Sequence, residues 1–302
     1  MKEYIGCFTS DLHIRDSQPV GRLDDYQEYQ KNVLEFIAEE ASERLVDTFI
    51  AGDIFNGWNP TPSEYMTFKD FKERISEIRL VAGNHDLKGN SMASYSLSGV
   101  GVLTGWDEKT YDLSASSYYL YLKPFDILIQ GYNFGEPLDK KPLENAKNIL
   151  VIHEQVYNEF VMGYSTKSSN CEDILEKYKG FDLIVAGDNH KQFIYEGKDG
   201  RKILNCGVPT LQKVSEKDYT PKIHFVTKDL EIESIDVPLF GTKWKEKDVS
   251  AFVRDEREFQ SITMLGDEEA VSRIDVEDLL KRRLEDKPES VKSIIYEEMG
   301  NG

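Results

Sequence analysis

Asp11-Leu12-His13, Gly52-Asp53, Gly83-Asn84-His85-Asp86, His153 and Gly187-Asp188-Asn189-His190 set carboxylates, imidazoles and carboxamides side by side in a chain of 302 residues. Each group directly follows an apolar run: Ile5 to Ser10, Thr48 to Ala51, Leu80 to Ala82, Ile149 to Ile152 and Leu183 to Ala186. One polar group after a strand is an ordinary turn. Five such ends, all bearing oxygen or imidazole donors, predict one shared site for a pair of divalent metal ions.

The chemistry that needs such a pair is phosphoester hydrolysis. A phosphodiester repels nucleophiles by its charge and has a poor alkoxide leaving group. Two divalent ions about 3.5–4 Å apart answer both problems by neutralising the phosphate and supplying an attacking oxygen. They need one shared carboxylate, for which Asp53 is the natural choice, and neutral His and Asn ligands that keep the site electrophilic. This donor mixture suits Mn²⁺ or Fe²⁺ better than a structural zinc.

The elements that must position these residues read as alternating strands and helices. Tyr4 to Thr9 is almost wholly apolar, as a strand buried on both faces should be. Asp11 and His13 share a face if the strand direction continues. A helix over roughly Asp24 to Arg44 carries a stripe of Tyr26, Tyr29, Val33, Ile37, Ala41 and Leu45. Thr61-Pro62-Ser63-Glu64 is a capping box opening a second helix with Met66, Phe71, Ile75 and Ile78 inward. The β-α-β-α-β order predicts a largely parallel sheet with its ligands at the carboxyl ends of the strands. Tyr118 to Leu122 and Phe125 to Gln130 read as strands, and Val156 to Lys167 as a loop flanking the site. Ser169-Asn170-Cys171-Glu172 reads as a further capping box. Two hairpins, over 193–206 and 223–237, are expected in a second sheet beside the first. Pro238 to Gly241 marks a boundary between a core, 1–240, and a charged, mostly helical appendage, 241–302.

Composition narrows the class. Hydrophobic residues make up 39% of the chain, enough for a globular core. No apolar run approaches the ~20 residues of a membrane span, so no membrane partner is expected. Met1-Lys2-Glu3-Tyr4 lacks the features of a signal peptide. Cys7, Cys171 and Cys206 offer no disulfide framework, which points to the cytoplasm. A net charge of −18 leans against unaided DNA binding, because phosphate contacts need Lys and Arg. His224 in an alternating strand, the Tyr118-Tyr119-Leu120-Tyr121 cluster and Lys281-Arg282-Arg283 read as structural, sheet-packing and solvated residues respectively.

In order and interval, Asp11-x-His13, Gly52-Asp53, Gly83-Asn84-His85-Asp86, His153 and Gly187-x-x-His190 resemble the motif set of the calcineurin-like metallophosphoesterases. Within that superfamily, Asn205-Cys206-Gly207-Val208-Pro209 through Pro221-Lys222 looks like the SbcD branch, DNA double-strand-break repair nucleases of the Mre type that include phage members. The resemblance implies a four-layer α-β-β-α sandwich of two mixed sheets covered by helices. It implies Asp11, His13, Asp53 and His190 around one metal, and Asp53, Asn84, His153 and Asp188 around the other. His85 would be the general acid, and Asp86 is expected to orient its ring. The implied activity is Mn²⁺-dependent exo- and endonuclease action (Mg²⁺ or Fe²⁺ being alternatives) in recombination and repair. The implied partners are DNA, an SbcC-like ABC-type ATPase and a second copy of the chain, in the cytoplasm, or a host's if phage-encoded.

Three positions depart from the family pattern. Asp188 stands where a histidine is usual, Glu154 where a glycine is, and Ile14-Arg15 where Leu-Gly is. Asp188 is expected still to coordinate, shifting preference toward Mn²⁺ or Mg²⁺. Two rival functions stay open: a small-molecule phosphodiesterase or phosphatase with the same metals, and an architectural repair subunit with a residual site. In the tail, Val276, Leu279, Leu280 and Leu284 with Val291, Ile294 and Ile295 read as two short amphipathic helices for a partner or for the chain's own core.

Overall fold

Strands buried on both faces build the middle of this fold: Thr48–Ala51, Ile78–Val81 and Leu183–Gly187 are buried throughout, whereas edge strands such as Phe193–Glu196 are buried on neither face completely. The computed structural model describes residues 2–115, 120–136, 139–158 and 169–245. In chain order the elements are β1 (Tyr4–Thr9), α1 (Tyr26–Glu43), β2 (Thr48–Ala51), α2 (Pro62–Glu73), β3 (Ile78–Val81), α3 (Gly99–Trp106), β4 (Thr110–Asp112) and β5 (Leu120–Leu122). Then follow β6 (Ile127–Tyr132), β7 (Lys147–His153), β8 (Val156–Tyr157), β9 (Ser169–Asn170), α4 (Cys171–Lys177) and β10 (Leu183–Gly187). Finally come β11 (Phe193–Glu196), β12 (Lys202–Asn205), β13 (Lys222–Thr227) and β14 (Ile232–Asp236).

Two six-stranded mixed sheets result, ordered β14-β13-β1-β2-β3-β4 and β11-β12-β10-β7-β6-β5. Three apolar layers show how they stack. Phe49, Ala51, Ile149, Val151, Leu183 and Val185 meet between the sheets. Ile50 and Leu80 turn outward to the side chains of α1 and α2. Leu150, Ile152, Ile184 and Ala186 turn the other way, to Ile174 and Leu175 of α4. This is the expected four-layer α-β-β-α sandwich. Phe8 and Phe49 stack at 4.6 Å in its middle, a contact worth about 1 kcal/mol beyond its area.

The parallel run β1-β2-β3 follows the predicted crossovers, and β4, reached through α3 and not expected from the sequence, extends it. The hairpins do not share a sheet as expected. β11-β12 extends the second sheet through β10, while β13-β14 pairs antiparallel with the open edge of β1 in the first. Each sheet thus gains the strands its own free edge could bond.

Local signals held where a hydrogen bond enforces them. Thr61 and Glu64 close the capping box reciprocally, with Pro62 in the first turn. Asp25 caps α1 through Gln27 and Glu28. At α4 the cap is Asn170, bonded to Asp173 N, not Ser169 with Glu172. Leu45 lies beyond the end of α1 at φ 55° and is 90% exposed. Met66 is exposed too, because it sits two residues, about 200°, from the buried Phe68. Val156-Tyr157 pairs with Ser169-Asn170 where a plain loop was expected. Tyr118, Tyr119, residues 159–167 of the expected loop and the two amphipathic segments near 276–295 lie outside the described residues.

The compact unit runs through Lys245. Its last residues lie along the loop before α1, with Lys245 N donating to Gly21 O and Leu23 N to Lys243 O. Arg22, 2% exposed, is stacked at 4.0 Å from the Tyr29 ring and 4.8 Å from Trp244, and bonds Asp24 and Leu211 O.

His224 in β13 is 1% exposed, and its Nε2 donates to the Cys206 carbonyl, so Nδ1 accepts from Ser234 Oγ. Burial pushes this imidazole down to about 4. The unfolded chain takes up a proton near pH 6.5 that the folded chain refuses until about pH 4. Stability is therefore full above pH 6.5 and falls as pH drops toward 4, by about 3 kcal/mol in all. Urea unfolding should show wild type losing about 2 kcal/mol more than His224→Gln between pH 7 and pH 5. Equal losses in the two proteins would remove His224 as the cause.

Candidate metal centre

The donors stand on the loops that leave β1, β2, β3 and β10, and at the last residue of β7, His153. Asp11 and His13 do not continue β1. Their φ angles are 52° and 43°, and Asp53 and Asp188 share this left-handed region at 52° and 82°. Such backbone costs about 1 kcal/mol or more per residue, and Asp and His are among the side chains that tolerate it best. Asp11 N donates to Gly52 O and His13 N to Asp53 O, both at 3.0 Å, so the loops after β1 and β2 are laced together.

Asp11, His13 and His190 form one cluster. His13 Nε2 lies 3.3 Å from His190 Nε2 and 3.9 Å from Asp11 Oδ1, and His190 Nε2 is 3.9 Å from Asp11 Oδ1. Asp53 faces two ways. Its Oδ2 is 3.7 Å from His13 Nε2, whereas its Oδ1 is 3.4 Å from His153 Nε2. His153 Nε2 also lies 3.0 Å from Asn84 Oδ1 and 3.9 Å from Asp188 Oδ1. All seven residues read from the sequence as ligands therefore meet at one place.

These donors fit divalent cations. The Ala51 carbonyl, 2.8 Å from His153 Nδ1, can only accept, so neutral His153 carries its proton there. Its Nε2 lone pair then faces three oxygen acceptors, a repulsive arrangement unless a cation or a proton lies between them. Donors about 2.1 Å from a shared ion stand about 3–4 Å from one another, the spacing found here. Ligand atoms of Asp11, His13 and His190, and of Asp11, Asp53 and His153, all lie within 4.8 Å of each other. His13, Asp53 and His85 form a third such group.

The electrostatics of the ion-free chain agree. Burial, reinforced by the Asp53 charge and opposed by His153 and His190, pushes Asp11 up to about 6. Burial works against ionised Asp53 as well, but His153, His13 and His85 hold it below the carboxylate range. Burial lowers His13. It also disfavours charged His153, yet Asp53, Asp11 and Asp188 hold that ring well above its ordinary value. In the absence of metal, a proton on His153 stands in for positive charge.

His85 lies toward solvent, its side chain 37% exposed and its Nε2 4.0 Å from Asp53 Oδ2. The expectation for Asp86 fails. Its carboxylate is buried and accepts from Ile54 N, Phe55 N and Gly83 N at 3.2, 3.1 and 2.9 Å. It ties the loops after β2 and β3 together and leaves the ring alone. Burial, with the Asp53 charge, pushes it up to about 7. The group against His85 Nδ1 is the Asn56 carbonyl, at 3.3 Å.

Three other contributors escaped the sequence reading. Ser10 Oγ donates to Asp11 Oδ2 at 2.5 Å, and Asn205 Nδ2 holds the Asn189 and Lys191 carbonyls. Glu216 Oε1 accepts from His190 Nδ1 at 2.9 Å. Ser10 borders Asp11 and could have been suspected. Glu216 lies in a 3₁₀ turn, Val214–Glu216, outside any apolar pattern, and nothing in the sequence flags it.

A helix-covered double sheet with carboxylate, imidazole and carboxamide donors at its strand ends defines a metal-dependent hydrolase of phosphoesters. Residues 7–192 match the model of the calcineurin-like phosphoesterase family, and the chain belongs to that family. No curated protein matches the chain. Among solved structures, a novel archaeal phosphodiesterase is similar at 15% identity over 76% of this chain and 98% of its own, with a TM-score of 0.42. A dimetal phosphatase from Danio rerio is similar at 10% identity over 79% of this chain and 100% of its own, with a TM-score of 0.49.

Proposed function

We propose that this chain is a two-cation phosphodiesterase whose substrate is DNA. The observation that carries the two-cation reading is Asp53, whose oxygens divide between the His13 and His153 sides of the site. Asp11, His13 and His190 would hold one ion, and Asn84, His153 and Asp188 the other, with Asp53 between them. Bound ions would neutralise the phosphate and supply the attacking oxygen. Mn²⁺ is the best fit to the donor set, with Mg²⁺ or Fe²⁺ as alternatives.

The chain's own residues handle the departing oxygen. Asn56 O accepts the Nδ1 proton of His85, which leaves Nε2 as the position facing the site. A proton at Nε2 can pass to the leaving alkoxide as the ester bond breaks. His85→Asn should lower kcat roughly a hundredfold with both ions still bound, read by kinetics and metal content together. An unchanged kcat would remove His85 from the reaction.

The DNA reading is supported by the motif resemblance to SbcD-type nucleases, whose 205–209 segment is here the one that holds the Asp188–His190 loop through Asn205. It carries with it an SbcC-like ABC-type ATPase, a homodimer and a cytoplasmic setting. One observation favours a second reading, a small-molecule phosphodiesterase or phosphatase. A net charge of −18 repels a polyanion unless a partner supplies cations. Among the described residues no helix is long and apolar enough to cross a membrane. Mn²⁺-dependent digestion of end-labelled duplex, with and without the ATPase, against a small aryl phosphodiester decides between them. Turnover of the aryl ester alone selects the second reading.

A further inference from the structure

Glu216 touches none of the reacting groups, yet it has the best-defined geometry at the edge of the site. Its side chain is 10% exposed and its two oxygens have separate duties. Oε1 accepts from His190 Nδ1 at 2.9 Å, while Oε2 accepts from Gln212 N at 2.7 Å and Lys213 N at 2.9 Å. The two backbone amides fix the carboxylate plane, and that plane fixes the ring. Gln212 extends the brace, since its Nε2 donates to His13 O at 3.1 Å. The segment 212–216 therefore holds the His190 side chain directly and the His13 backbone through Gln212.

We infer that Glu216 is a positioning residue for the first cation. It holds the His190 proton on Nδ1 and so keeps the Nε2 lone pair aimed between His13 and Asp11. The inference rests on the two-cation reading for its purpose but not for its geometry. A carboxylate behind a metal-bound imidazole fixes the tautomer and raises ligand basicity, and losing such a partner commonly costs 10–100-fold in metal affinity.

The informative variant is Glu216→Gln. The side-chain oxygen of glutamine must turn toward Gln212 N and Lys213 N, because two amide hydrogens there would oppose two others. Its NH₂ group then points at His190 Nδ1 and donates. The imidazole is forced to accept at Nδ1 and to carry its proton on Nε2, where the cation belongs. Replacing one carboxylate oxygen by an NH₂ group thus inverts the tautomer.

The test uses the full chain and Mn²⁺. In wild type, ¹⁵N-resolved NMR without metal should place the His190 proton on Nδ1, and titration should fill two sites per chain. Glu216→Gln should move the proton to Nε2 and weaken one of the two sites 10–100-fold with the other unaltered, and Glu216→Asp should recover part of the loss. Two sites of unaltered affinity in a folded Glu216→Gln protein would overturn the inference. So would a wild-type His190 protonated on Nε2, a reading that stands even if the variant does not fold. Wild type taking up fewer than two ions counts against the two-cation site, while the tautomer still decides the role of Glu216.

Discussion

Asp53→Asn will abolish metal-dependent hydrolysis, lowering kcat on the order of a thousandfold or more, and the purified protein will hold fewer than two ions per chain. Asp11 and His13 each enter two of the three donor groups, but only Asp53 divides its two oxygens between the two sides of the site. It presents one oxygen to His13 and the other to His153, at 3.7 and 3.4 Å. A carboxamide keeps the shape but offers one neutral oxygen and an NH₂ group that repels a cation. It also removes the anion that balances His153, so the variant loses charge compensation in both states of the site. The fold should survive, because Asp53 is not one of the apolar residues that form the three core layers and asparagine keeps its shape. The check is metal content by emission spectroscopy alongside kcat on an aryl phosphodiester. Two tightly held ions and near-normal turnover in Asp53→Asn would refute the shared ligand, and with it the division of the site into two halves.

Why the ligands could be picked out from sequence while their support could not is a matter of where each signal lies. Asp11, Asp53, Asn84, His153 and His190 follow buried strands, and an apolar run that ends in a donor stands out in one dimension. The same periodicity located the strands, because Phe49 and Ala51 face one layer and Ile50 the other. It could not say to which sheet β13-β14 would bond, since an edge becomes free only once the sheet exists. Nor could it show the left-handed backbone at Asp11 and His13, which brings both side chains inward by a route no extended strand takes. Asp86 departs from its expected role for a related reason. Adjacency to His85 in sequence hid the three amides, at Ile54, Phe55 and Gly83, that claim its carboxylate. Glu216 is the extreme case, 26 residues from His190 and joined to it only by folding.

Those amides bear on the last expectation, that Gly83→Ala will be as damaging as the loss of a ligand although Gly83 ligates nothing. A methyl group on Gly83 would lie 2.1 Å from Asp53 Oδ1 and 2.5 Å from Asp53 N. Neither atom can retreat. Oδ1 is held by His85 N at 3.0 Å, and the Asp53 backbone is held at φ 52° by its place between the loops. The loops after β2 and β3 must therefore part, and Asp86 then loses its grip on Ile54 N and Phe55 N, leaving a buried carboxyl with unpaired amides around it. Overpacking and lost hydrogen bonds together should cost about 3 kcal/mol in urea unfolding, and displacement of Asp53 should cost turnover as heavily as Asp53→Asn does. Gly105→Ala is the control, because a methyl group in that part of α3 meets nothing within 4 Å. It should leave turnover alone and add up to about 1 kcal/mol of stability through helix propensity. If Gly83→Ala instead retains wild-type stability and both ions, the close seating of the β3 loop on Asp53 is not what holds the bridging carboxylate in place.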